Sequence, residues 1–263
     1  MALEPGWCLI LGASSGFGAA AARAFARAGL DVAGVHLDRR ATLPLAEDVA
    51  KDVEASGRRA RLFNTNAADA EQRDAVVAEL GRTTGGGPRV RVLLHSLAFG
   101  SLRPLVAAQA ADAATAAQLA MTLRVMATSL VEWTQALAGA DLLERGGRVF
   151  AMTSEGGRRA WPGYGPVAIA KAALEAAIRQ LAVELAPREI TANAICAGVT
   201  DTPAARKIPG YEALLDGARL RNPRGRLTTP EDVAGALVAL SEPGCGWLTG
   251  NVIRVDGGEG IAG

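Results

Sequence analysis

Short apolar runs alternate with longer helix-like stretches along the chain, and this alternation restricts the fold more than any other feature of the sequence. The runs fall at Trp7–Leu11, Val32–Leu37, Arg61–Asn64, Val90–His95, Arg148–Met152, Thr191–Cys196 and Val252–Val255. Several are rich in Val, Leu and Ile without a clean apolar–polar alternation, the pattern of strands covered on both faces. Helix-like segments occupy 17–28, 42–56, 69–82, 112–140, 167–186 and 231–241. Alternating β and α with buried strands implies a parallel sheet with helices on both sides. The spacing predicts one doubly wound α/β domain over residues 1–263 with seven parallel strands. No linker or repeat divides it, and the only loose patch is Thr83 to Pro88.

Composition narrows the function classes. With 28 basic and 27 acidic side chains the net charge is +1, which argues against a nucleic-acid binder held by bulk charge. Cys8, Cys196 and Cys245 lie far apart with no CxxC pair, so neither a zinc scaffold nor a disulfide framework is expected, and no metal site. The uncharged stretch from 5 to 22 carries four glycines and two serines, with Glu4 in front. It is neither a spanning helix nor a secretory leader. A soluble, cytoplasmic protein without membrane attachment is the expectation.

The first strand runs into Gly12-Ala13-Ser14-Ser15-Gly16-Phe17-Gly18 and then a helix. A glycine turn between a strand and a helix suits a dinucleotide pyrophosphate. Gly12 makes the sharp turn, Gly16 admits the phosphates to the backbone, and Gly18 allows close packing of helix on sheet. The helix N-terminus adds free N–H groups and partial positive charge.

This Gly-x-x-x-Gly-x-Gly turn resembles that of the short-chain dehydrogenase/reductase superfamily, which implies a Rossmann-type fold. In that superfamily the end of the second strand selects the adenosine ribose. Here it reads Val35-His36-Leu37-Asp38-Arg39-Arg40, with His36 at the discriminating position. Asp38 can accept from a 2′-hydroxyl but lies about two residues late. Arg39 and Arg40 can clamp a 2′-phosphate, so the resemblance implies NADPH ahead of NADH. Asn66 and Ala67 match the place where relatives touch adenine.

Most members carry a catalytic tyrosine four residues before a lysine. Here Lys171 is preceded at that distance by Val167, and Tyr164 stands seven residues upstream. Seven helical residues advance about 10.5 Å and return nearly to the same face. Gly165-Pro166, however, suggests that Tyr164 sits just ahead of the helix. The Tyr-x6-Lys spacing resembles the divergent branch containing the enoyl-acyl carrier protein reductases. Leu94-His95-Ser96-Leu97-Ala98-Phe99 is similar to that branch's His-Ser-Ile-Gly-Phe segment. Arg159 to Tyr164, Ala170 to Ala176 and Asn193 to Gly198 match it as well. Where carbonyl-reducing members place an asparagine, the alignment puts Met126.

That resemblance implies an NAD(P)H-dependent reductase of the C=C bond of a 2-enoyl thioester, carried on acyl carrier protein or coenzyme A. Tyr164 would stabilise the enolate oxygen, and Lys171 would hold the nicotinamide ribose. Ser96, Leu97, Ala98, Gly198, Val199 and Thr200 would line the cofactor. Ser154 falls where many enoyl reductases have a second aromatic and where carbonyl reductases have a serine, so it fits either site. His95 reads as hydrogen-bonded structure or as a catalyst. The resemblance also implies a homotetramer paired through helices 112–140 and 167–186, with a substrate flap at 201–226. The flap carries Arg206, Lys207, Arg219, Arg221, Arg224 and Arg226, a basic lip suited to acidic carrier protein or coenzyme A phosphates. Two other readings stay open: a ketoreductase or alcohol dehydrogenase, and a non-catalytic dinucleotide sensor.

Overall fold

The computed structural model describes residues 3–87 and 89–262; Pro88 of the loose patch and the ends of the expected 1–263 span lie outside the described residues. Seven strands form one sheet: β1 (Trp7–Leu11), β2 (Asp31–His36), β3 (Ala60–Asn64), β4 (Val90–His95), β5 (Leu143–Thr153), β6 (Thr191–Ala197) and β7 (Val252–Val255). All pairings are parallel, in the order β3-β2-β1-β4-β5-β6-β7. The helices are α1 (Gly16–Arg27), α2 (Leu43–Ala55), α3 (Ala70–Thr84), α4 (Ala116–Leu123), α5 (Ser129–Gly139), α6 (Gly165–Glu184), α7 (Tyr211–Arg221) and α8 (Pro230–Leu240). Strand order reverses between β1 and β4, which opens a crevice at the carboxyl ends of these strands.

The strand β1 explains why the runs do not alternate. Trp7, Leu9 and Leu11 enter a core shared with Trp133 of α5 and Leu174 and Ile178 of α6. Cys8 and Ile10 face the other way, into a core with Phe25 of α1, Val49 and Val53 of α2 and Leu237 of α8. Successive side chains of a strand point to opposite faces, so both sets must be apolar when helices cover both. Ala20 and Ala24 of α1 meet Ala234 of α8, and these small side chains let the two helices lie close.

Capping agrees with the sequence. Thr229 accepts from the Asp232 amide at 3.2 Å and Asp232 reaches back, a capping box with Pro230 in the first turn. Three expectations change. The segment expected as one helix over 112–140 is divided by a π-helical turn, Arg124–Thr128, and begins with a short 3₁₀ turn. The 30-residue stretch Ala110–Gly139 is long enough to cross a membrane and contains an 18-residue window with a mean hydropathy of 1.2. Its Leu130 and Trp133 are instead fully buried in the core. The flap, where no helix-like segment was expected, holds the helix α7, because Leu215 and Ala218 find apolar cover despite the surrounding arginines and Gly217. Strand β5 begins five residues earlier than Arg148, through a polar, glycine-containing stretch that gave no strand signal.

Candidate active site

The crevice is built on bare backbone. Gly12 adopts φ +92° and Gly16 φ +53°, both in the left-handed region that favours glycine. A side chain at Gly12 would meet the carbonyl of Ser96 at 2.5 Å, and one at Gly18 would strike the Gly12 carbonyl. Ser15 caps α1 without a side-chain hydrogen bond, and no acidic residue occupies the first turn. The N-terminal amides therefore face a half-exposed hollow formed by Ser14, Ser15, Gly16 and Phe17. A side chain at Gly16 would meet Thr202 Cγ2 at 3.4 Å. Such a cradle fits a pyrophosphate.

At the far end, His36 is buried and its Nδ1 lies 2.8 Å from Asp38 Oδ2. The Asp38 side chain is only 10% exposed. Burial alone would raise its pKa; the hydroxyls of Thr42 and Ser14 and the His36 ring outweigh that and hold the carboxyl below its usual range. Asp38, two residues late in the chain, thus turns back onto the glycine turn. Arg39 and Arg40 are exposed and make no ion pair among the described residues. Of the residues matched to adenine contact, Asn66 uses its Oδ1 to accept from the Ala68 amide, and the Ala67 carbonyl accepts from Trp133 Nε1 at 2.8 Å. Ser96, Leu97 and Ala98 follow β4 beside Gly12. Beyond β6, Gly198 packs against Thr228, and Thr200 Oγ1 donates to the Gly198 carbonyl. The Val199 amide already donates to Glu259 Oε2 at 3.0 Å. Nothing in the sequence pointed to Glu259, which comes from the far C-terminal turn.

The chemistry-bearing side chains come from the ends of β5 and α6. Tyr164 stands at the N-cap of α6, with Pro166 in the first turn, as the Gly-Pro pair suggested. Its ring lies over the bare backbone of Gly156 and edge-on to Trp161, centroids 6.0 Å apart. Burial raises its pKa, and the neighbouring Ser154 hydroxyl works in the opposite direction. Ser154 Oγ is itself buried without a hydrogen-bond partner. Lys171 is buried and donates from Nζ to the Met152 carbonyl at 2.6 Å. Burial pulls its pKa down to about 8, against the opposing charge of Glu175.

His95 is fully buried, with Nε2 2.8 Å from Ser129 Oγ, which in turn donates to the Val125 carbonyl in the π-helical turn. Burial first and the Lys171 charge second hold its pKa down at about 3, so it stays neutral and braces the turn that places Met126. Met126 is buried with Val167 and Ala170, and Tyr164 packs against their cluster. A side chain at Gly100 would meet Met126 Sδ at 2.9 Å and Val167 Cγ2 at 3.0 Å, so the two residues converge there. Leu105, which packs over Gly165, and Trp161, edge-on to Tyr164, are exposed apolar side chains beside the tyrosine, and Phe99 and Val106 in the segment after β4 are exposed as well.

The flap is less basic than its composition suggests. Arg206 pairs with Asp201, Arg219 with Asp216, Arg221 with Glu259 and Arg226 with Asp232.

A family model described as enoyl-(acyl carrier protein) reductase matches residues 12–259. The chain belongs to that family, within the short-chain dehydrogenases/reductases. An uncharacterized oxidoreductase of Mycobacterium tuberculosis is 31% identical over 251 residues, covering 95% of this chain and 90% of its own. A 3-oxoacyl-acyl carrier protein reductase of Thermotoga maritima is 28% identical over 258 residues, covering 98% and 99%. Among solved structures, an enoyl-acyl carrier protein reductase (NADH) of Aquifex aeolicus superposes with a TM-score of 0.85 at 25% identity, covering 98% of this chain and 97% of that one. Short-chain reductases of this family are NAD(P)H-dependent oxidoreductases, and the glycine cradle fits that cofactor class.

Proposed function

We propose that this reductase acts on the C=C bond of a 2-enoyl thioester. One observation carries the reading. The positions at which carbonyl-reducing members hold asparagine and tyrosine are Met126 and Val167, buried together as an apolar wall, while the phenol stands apart at Tyr164. An alkoxide forming at the hydride-accepting carbon would face hydrocarbon on that wall. An enolate oxygen two atoms further along suits a donor displaced to Tyr164.

A dinucleotide held in the glycine cradle would supply hydride to the substrate Cβ, and Cα would then take its proton from solvent. Tyr164 O–H donates to the thioester oxygen as charge develops there; burial, which raises its pKa, keeps it protonated at neutral pH. The ammonium of Lys171 adds positive charge beside that oxygen and holds the ribose hydroxyls. Ser154, with its hydroxyl unpartnered, offers a second donor to the substrate. Met126, Val167 and Ala170 keep water from one wall, and Phe99, Leu105, Val106 and Trp161 receive the apolar acyl group.

The resemblance at the end of β2 implied NADPH through Arg39 and Arg40. The inward carboxylate of Asp38 supports NADH as the alternative, since it would accept from a 2′-hydroxyl and repel a 2′-phosphate. Acyl carrier protein or coenzyme A would approach over the flap, where Lys207 and Arg224 have no acidic partner among the described residues. The resemblance supports a homotetramer, and the three free cysteines suit a reducing cytoplasm.

Incubation with crotonyl-CoA or acetoacetyl-CoA and either dinucleotide tests the reading. Oxidation with crotonyl-CoA supports it. Oxidation with acetoacetyl-CoA alone supports the ketoreductase reading, which Ser154 beside Tyr164 favours. Tight dinucleotide binding without turnover of either would point to a sensor.

A further inference from the structure

Two successive turns of α6 grip two successive residues of β5. Lys171 Nζ donates to the Met152 carbonyl at 2.6 Å, and Thr153 Oγ1 donates to Glu175 Oε1 at 2.8 Å. Ser154 is the next residue. Glu175 lies four positions after Lys171, on the same helix face, and is 7% exposed. Its second oxygen is 4.0 Å from Arg158 Nε, and a side chain at Gly157 would meet its Oε1 at 3.0 Å. We propose that Glu175 is a positioning residue: it pins the Thr153–Ser154 end of β5 and supplies the buried counter-charge to Lys171. The proposal rests on Lys171 as a cofactor-holding group and not on the identity of the reducible substrate.

The other groups facing this pair cannot replace Glu175. His95 on β4 is held neutral. The Cys196 thiol on β6 is pushed up to about 12, first by burial and then by Glu155, so it carries no charge at neutral pH. Glu155 is taken by Arg254 and by Arg159. Tyr164 is kept protonated by burial. Burial lowers the pKa of Lys171, and Glu175 is the largest influence in the other direction. Loss of its charge should therefore leave Lys171 neutral at a lower pH.

With only three lysines in the chain, labelling the lysine side-chain carbons lets the Lys171 Cε resonance be followed through a pH titration. An opposite charge at close range shifts a pKa by about one unit or more. In Glu175→Gln the Lys171 midpoint should fall by about one unit, and the alkaline limit of NADH binding should fall with it. In Thr153→Val, which removes the hydrogen bond and keeps the charge, the midpoint should stay while turnover drops. Midpoints that coincide in the parent and Glu175→Gln, with turnover lowered uniformly across pH, would reduce Glu175 to a packing role and overturn the proposal. Should Glu175→Gln fail to fold, Glu175→Asp decides: a midpoint within about half a unit of the parent supports a counter-charge, and a fall of about one unit or more contradicts it. The Lys171 midpoint and the alkaline limit of NADH binding need no thioester, so a failed enoyl assay leaves both interpretable.

Discussion

Met126 and Val167 converge above the bare backbone of Gly100. Both are buried, in one cluster with Ala170, and the ring of Tyr164 packs on its edge. Hydrocarbon thereby fills the positions matched to the asparagine and tyrosine of carbonyl-reducing members, and the phenol stands beside it at Tyr164, next to Ser154.

Replacement of Tyr164 by Phe retains the ring packing on Gly156 and Trp161 and removes only the donor. Loss of one oxyanion donor costs about 10²–10³ in kcat. Steady-state kinetics with crotonyl-CoA should show that loss, with the dinucleotide Kd altered less than about threefold. Unchanged turnover would remove Tyr164 from the mechanism.

Lys171 gives a pH dependence with two opposite signs. Its pKa is about 8 in the fold, against an ordinary 10.5. Between these values the unfolded chain keeps a proton that the native state releases, so this group raises stability as pH climbs through the window. Cofactor affinity runs the other way, weakening as the ammonium is lost above about pH 8. Fluorescence titration with NADH from neutral to alkaline pH checks the second sign, and Lys171→Ala should flatten the curve while lowering both affinity and turnover.

For His95 the window lies in acid. Its pKa is held at about 3, against 6.5 for a free imidazole. As pH falls below 6.5 the unfolded chain takes up a proton that the buried ring refuses, and stability declines. Thermal melts between neutral pH and pH 4 should show this decline. His95→Gln, which can still bond Ser129, should show a shallower one.

The layers of the fold were legible because they follow from local rules: buried runs for the strands, a glycine turn, and Pro166 and Thr229 at helix starts. The position of Tyr164 ahead of α6 was legible for the same reason. What was not legible depends on distant pairing. Glu259 meets Val199 across 60 positions of chain, and Trp133 reaches Ala67 across 66. No spacing rule reports either bond. The direction of the Asp38 side chain was not legible because it is set by Ser14, Thr42 and His36 together, two of them distant in the chain or on another turn. Glu175 did carry a signal, its four-residue interval from Lys171, but its burial against Thr153 appears only in three dimensions.

Asp38 yields the cofactor prediction. A hydrogen bond to a charged acceptor is worth about 1.5–3 kcal/mol, so Asp38→Asn should weaken NADH binding by about tenfold or more and narrow the gap to NADPH. Arg39→Ala should leave NADH affinity unchanged. A parent enzyme that binds NADPH more tightly, and loses that preference in Arg39→Ala or Arg40→Ala, would assign selection to the arginines.

The most direct test of enoyl reduction at Tyr164 is to offer crotonyl-CoA and acetoacetyl-CoA together with dinucleotide deuterated at the transferable position, and to locate the label by mass spectrometry. The expected result is butyryl-CoA carrying deuterium at C3, nearly abolished in Tyr164→Phe. Deuterium found only in 3-hydroxybutyryl-CoA would contradict it.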